Sequence, residues 1–141
     1  MNKRGFTLVE IMIVVAIIAL LAAIAIPNLL RAKLAANESA AMAALKTVAT
    51  AAHTFRSAGN TYPTTLGDLG NATPPYIDDV LAGGSKQGYT FDLTGNATAF
   101  EATADPQNPG VSGNRYFFVD TSGVIRWNGN ATASASDGAI E

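Results

Sequence analysis

From Ile11 to Ile26 the chain runs for sixteen residues without one polar side chain. A run of this kind must be buried on every side or placed in lipid. Extended to Phe6 and Leu30, it covers 25 residues, roughly 37 Å as a helix, against about 30 Å for the hydrocarbon core of a bilayer. A secretory signal would have a shorter apolar stretch followed by a small-x-small cleavage site. Ala23-Ile24-Ala25 imitates that site, but the run before it is long and carries Glu10 near its start. The stretch therefore reads as a membrane helix that the mature protein keeps. Charge leaves its orientation open, because Lys3 and Arg4 precede the run and Arg31 and Lys33 follow it.

Composition narrows the class further. Of 141 residues 48% are apolar and 14% charged, where soluble domains carry about a quarter charged residues. So apolar a chain is not disordered throughout. Without cysteine it has no disulfide, thiolate metal site or cysteine nucleophile. A net charge of −2 offers no basic surface, so no direct nucleic-acid partner is expected.

Glu10 is the informative residue. A carboxylate inside an apolar membrane helix costs on the order of 3 kcal/mol, so it usually has a partner. It either lies at the interface and reaches the headgroups, helped by the helix dipole, or meets a cation.

The residues around it favour the second reading. Lys3-Arg4-Gly5-Phe6-Thr7-Leu8-Val9-Glu10, followed by the apolar run and Pro27, resembles the type III signal of type IV pilins and the related type II secretion pseudopilins. The resemblance is specific over residues 3–28 and only architectural beyond residue 60. It implies a leader of residues 1–5 with its charge on Lys3 and Arg4, a prepilin peptidase cutting between Gly5 and Phe6, and N-methylation of Phe6. It also implies an assembly set of Phe6, Glu10 and Pro27. A cut there frees the Phe6 amine as a cation in or beside lipid. A buried cation and a buried anion each cost several kcal/mol unless they meet. The Phe6 amine of one subunit can pair with Glu10 of another, fixing the axial step of a filament; its own Glu10, one turn away, is the alternative. Gly5 also suits a peptidase that needs the scissile carbonyl exposed.

Beyond Pro27, which removes one helical hydrogen bond, an alanine-rich stretch continues to Ala58. Leu30, Leu34, Met42, Leu45, Val48 and Phe55, with Ala41 and Ala52, recur mostly at steps of three or four, the period of an amphipathic helix. Arg31, Lys33, Glu38, Lys46, Thr50 and His53 fall largely off that stripe. One helix is expected from Phe6 to about Ala58, stopped by Gly59-Asn60. Residues 59–88 read as an irregular connection with short helical pieces near Thr65–Leu69 and Ile77–Leu81. Tyr89–Leu93 with Thr98–Ala104, and Arg115–Asp120 with Val124–Trp127, read as two hairpins. The expected fold is α+β, with a small four-stranded antiparallel sheet packed on the second half of a long N-terminal helix. The domain plan is a leader (1–5), a transmembrane or filament-core helix (6–30), an amphipathic helix (31–58), a connection (59–88), a sheet (89–127) and a loose tail (128–141).

Other residues point less to chemistry. His53 reads as a solvated residue near a helix C-terminus, and Asp78-Asp79 diverge. Asp105 and Asp120 lack the spacing of a calcium loop. Gly83–Gly88 lacks the spacing of a phosphate loop. Asn71-Ala72-Thr73, Asn96-Ala97-Thr98 and Asn130-Ala131-Thr132 match a glycosylation sequon, but turn chemistry explains all three. Tyr116, Phe117, Phe118 and Trp127 read as sheet packing, or as an adhesive or subunit contact if exposed. No catalytic residue, metal or cofactor is expected.

The expected function is that of a structural, non-enzymatic pilin. Its implied partners are further copies in a helical filament, the prepilin peptidase, the inner-membrane assembly machinery and the lipid bilayer. The precursor would sit in a bacterial inner membrane with its C-terminal domain periplasmic, and the polymer at the cell surface. A type II secretion pseudopilin is the alternative, although Asp105-Pro106-Gln107-Asn108 matches poorly the Asp-Pro-Trp-Gly type segment usual there. The disulfide-closed loop of many pilins is impossible here. A membrane-anchored sensor or enzyme with an uncleaved leader is the alternative of another class.

Overall fold

A computed structural model of the chain describes residues 5–140 and divides them into two compact units, the first ending at Lys33 and the second beginning at Leu34. The helix α1 (Leu8–Gly59) starts in the first unit and ends in the second. It continues through Pro27, whose missing N–H leaves the Ala23 carbonyl without its helical donor.

In the first unit every side chain from Phe6 to Leu30 is exposed, apart from a partly covered Ala22. The most apolar window of this helix has a mean hydropathy of 3.0 and none of it is buried.

The second unit is an α+β layer pair. Six strands form one antiparallel meander in chain order: β1 (Ser85–Lys86), β2 (Tyr89–Gly95), β3 (Phe100–Pro106), β4 (Tyr116–Asp120), β5 (Ile125–Asn128) and β6 (Gly138–Ala139). Two short helices, α2 (Leu66–Gly70) and α3 (Asp79–Ala82), lie in the connection. The sheet thus has six strands where four are expected. β1 carries no apolar alternation, and its pairing rests on a two-residue turn in which Gln87 and Gly88 take φ of 48° and 78°, as a tight hairpin requires. β6 comes from the segment expected to be a loose tail and pairs with Arg126 and Trp127.

Packing divides the volume unevenly between the layers. The buried face of α1 is mostly alanine, with Leu45 and Val48 at its centre. The sheet supplies the bulk: Tyr89, Phe91, Phe100 and Phe117 all lie in the core. Large residues also alternate with small ones across the strands, Phe91 and Leu93 facing Ala104 and Ala102, and Phe117 facing Ala104 in turn. A helix stripped to alanine lets aromatic side chains approach its backbone without a void. Gly95 sits where a Cβ would run into the Pro63 carbonyl, so the turn closing β2 cannot take a side chain.

Phe118 points to the other face of the sheet, yet it too is buried. The tail returns across that face: Thr132–Ser136 line a pocket with Thr103 and Phe118, and Ala133 is 4% exposed.

Candidate assembly site

The start of α1 is set by Thr7 and Glu10. The Thr7 hydroxyl accepts the Glu10 N–H at 3.2 Å, while Glu10 Oε2 accepts both the N–H and the hydroxyl of Thr7 at 2.8 Å. This is a reciprocal cap that satisfies donors a helix N-terminus would otherwise leave bare. Thr7 is the capping residue that sequence reasoning overlooks, although its threonine-x-x-glutamate spacing announces the cap. Glu10 Oε1 accepts no hydrogen bond among the described residues. The carboxylate is therefore held in one orientation with one oxygen still open.

Phe6 stands one residue before the cap and is 86% exposed. A Cβ built on Gly5 meets nothing within 4 Å, and the residue has no positive φ. Among the described residues nothing demands glycine there. Pro27 lies 17 residues beyond Glu10, roughly 25 Å along a helix, so these two are not brought together. Lys3 and Arg4, the leader charges, lie outside the described residues.

Residues 1–26 match the family described as the prokaryotic N-terminal methylation motif. The type IV wide pilus major component PilA4 of Thermus thermophilus is 36% identical over 110 residues, which cover 74% of this chain and 84% of that protein. The chain belongs to the type IV pilin and pseudopilin family. The type IV major pilin protein PilA of Myxococcus xanthus is 46% identical over 71 residues, half of this chain but only 32% of that protein. The type II secretion system core protein G of Escherichia coli is 34% identical over 89 residues, 62% of this chain and 61% of that protein.

In this pilin-family chain, α1 carries a second polar site inside the folded unit. Glu38, expected off the apolar stripe, is 7% exposed and accepts from Arg115 Nε at 2.8 Å and from the Asn114 N–H at 2.9 Å. Asn37 donates to the Ser112 carbonyl at 2.8 Å. Together they tie the β3–β4 loop to the helix. Gly113 is required at this junction, because a Cβ there would collide with the Tyr89 ring. The Tyr89 hydroxyl donates to the Arg115 carbonyl, and burial, helped by the Glu38 carboxylate, holds that phenol well above its ordinary pKa. The Arg115 guanidinium lies over both the Phe117 and Trp127 rings, 5.5 and 5.7 Å from their centroids. Of the aromatic cluster, Phe117 is core, whereas Trp127 is 41% exposed.

The remaining candidates separate. Asp105 and Asp120 are not neighbours: Asp120 pairs with Glu101, four residues and roughly 13 Å down β3 from Asp105. Among the described residues no three His, Asp or Glu side chains gather as metal ligands would. His53 Nδ1 lies 3.2 Å from the Tyr62 hydroxyl, which also accepts from Arg56. Asp78 caps α3 and pairs with Lys86 at 2.7 Å, which lowers its pKa, while Asp79 begins α3. Asn96 Oδ1 accepts from the Thr98 and Ala99 N–H groups, so the middle sequon is a turn device.

On the solvent side of α1 within the second unit, Ser39, Thr47, Thr50, Thr54 and Ser57 each donate their hydroxyl to the carbonyl four residues earlier. These side chains keep their donors to themselves and present a narrow, weakly polar surface.

Proposed function

We propose that this chain is the structural subunit of a type IV pilus-like filament. It is made as a precursor, cut between Gly5 and Phe6 by a prepilin peptidase, methylated on Phe6 and polymerised through its N-terminal helix. It is not an enzyme. Before assembly the helix over residues 6–30 sits in the inner membrane with the second unit on the periplasmic side. Afterwards the same helix lines the filament core.

One observation carries this reading. Over residues 6–30 the apolar side chains of the helix find no cover among the described residues, and this stretch holds a single carboxylate, Glu10, oriented by Thr7 and open at Oε1. Cleavage after Gly5 would create the complementary ammonium four residues before it. In lipid or a dry filament core, either charge alone is costly, and an incoming subunit neutralises both. The carboxylate thus makes polymerisation depend on axial register as well as on apolar contact. The open space around Gly5 supports a requirement set by the peptidase rather than by the fold.

Glu10→Ala tests this. Intact mass should still show loss of the leader, whereas sheared surface fibres should be absent. Normal fibres from that variant would overturn the ion-pair account, and wild-type fibres that retain Met1 would overturn the processing.

The similarity to type II secretion core protein G supports the alternative of a pseudopilin. Electron microscopy of sheared material separates the two, since long surface fibres made of this chain favour the pilin.

A further inference from the structure

An apolar groove of about 610 Å³ runs between α1 and the β5–β6 edge of the second unit, lined by Met42, Ala43, Lys46, Val124, Ile125 and Ile140. Lys46 is exposed and makes no ion pair among the described residues. The groove therefore asks for an apolar occupant that brings an acid.

The same unit carries such a feature elsewhere. Val80 is 59% exposed on α3, a turn anchored from beneath by the buried Ile77 and Leu81. Its neighbour Asp79 is exposed and its carboxylate has no hydrogen-bond or ion-pair partner among the described residues, whereas that of Asp78 is occupied by Lys86 and the Leu81 N–H. Val111, also exposed at 62%, is flanked from Pro109 to Asn114 by uncharged residues and lacks the acid.

We infer that the groove of one copy receives the α3 turn of a second copy, with Val80 among the apolar lining residues and Asp79 on Lys46. The two surfaces are different parts of one molecule, so the contact is head-to-tail. Each docking leaves one groove and one α3 turn unused, and such a contact propagates into an open helical array unless its rotation closes a ring. Apolar fill supplies the attraction, and the Asp79–Lys46 pair selects the register against other exposed apolar residues. This inference rests on the filament reading and adds to it which domain surfaces meet outside the helical core.

The native chain has no cysteine, so an introduced pair is unambiguous. The test uses the full-length chain carrying Val80→Cys together with Val124→Cys, oxidised as sheared fibres and run without reductant. The expected result is a ladder of covalent multimers, with each single variant remaining monomeric. Independently, Lys46→Glu and Asp79→Lys should each lower fibre yield by about tenfold through like-charge contact, and the two combined should restore it to within about twofold. Fibres whose paired cysteines stay monomeric, or in which the charge exchange gives no rescue, overturn the contact alone. A wild-type chain that makes no fibre overturns the filament reading and this contact with it.

Discussion

Between Leu8 and Lys33, α1 leaves its large apolar side chains uncovered, whereas between Leu34 and Gly59 the same helix buries Ala41, Leu45, Val48 and Ala52 under a sheet. The first stretch has Ile, Val or Leu at 14 of its 26 positions, and from Ile11 to Ile26 it carries no polar side chain. The second has replaced most of its bulk with alanine and takes the missing volume from Tyr89, Phe91, Phe100 and Phe117. Helical backbone is compatible with both, because hydrogen bonds within the segment satisfy it in lipid and in a protein interior alike. What differs is the source of cover. The second stretch finds it in its own chain, and the first finds none among the described residues.

Paired truncations give the sharpest contrast. Leu45→Ala should cost about 2–5 kcal/mol of domain stability, as for other fully buried leucines. Ile17→Ala should leave the domain's melting temperature unchanged and act, if anywhere, on fibre yield. Thermal unfolding of the detergent-solubilised full-length chain measures both. A large loss of domain stability from Ile17→Ala would break the division drawn here.

The two carboxylates of α1 make a second, smaller contrast. Glu10 is exposed and capped by Thr7, whereas Glu38 is buried and already paired. Arg115→Ala should cost about 1–3 kcal/mol, the penalty for leaving a buried acceptor short of a donor. It should also free Trp127, read as a shift in its fluorescence. Equal stability of this variant would mean that water replaces the guanidinium at no cost.

The smallest expected effect is pH dependence, and it belongs to the second unit alone. Hydrogen bonds from Thr64, Lys86 and Ser122 lower the pKa values of Asp68, Asp78 and Asp120 respectively. Each is protonated more readily in the unfolded chain, so its stabilisation is present above about pH 4 and lost as pH falls further. These groups are largely solvated, and the loss should be shallow. Tyr89 has the opposite flank: with its folded pKa raised, the unfolded phenol ionises first, and stability should fall above about pH 10. Denaturant midpoints across the pH range check both flanks, and Tyr89→Phe should remove the alkaline one.

Much of this was legible in local pattern. The long helix, the hairpins at Thr94–Ala97 and Thr121–Gly123, and the short helices of the connection follow from periodicity and turn residues close in sequence. The cap at Thr7 was equally legible, being four residues long. Glu38 was not: its polar side chain sits off the apolar stripe, and its partner Arg115 is 77 residues away. β1 and β6 escaped for the related reason that two residues carry no period, and only the neighbouring strand makes them strands.

The chain's own order of residues determined that residues 11–26 carry no polar side chain, that one carboxylate, Glu10, stands just before them, and that Lys3-Arg4-Gly5 precedes both. Those are properties of composition and short spacing, and they survive whatever the rest of the chain does. Tertiary structure alone decided which face of the second half of α1 is covered, that Glu38 is sheltered while Glu10 is open, and that the tail closes over Phe118. Each depends on groups far apart in sequence meeting at a distance of a few ångströms, and no local period encodes such a meeting.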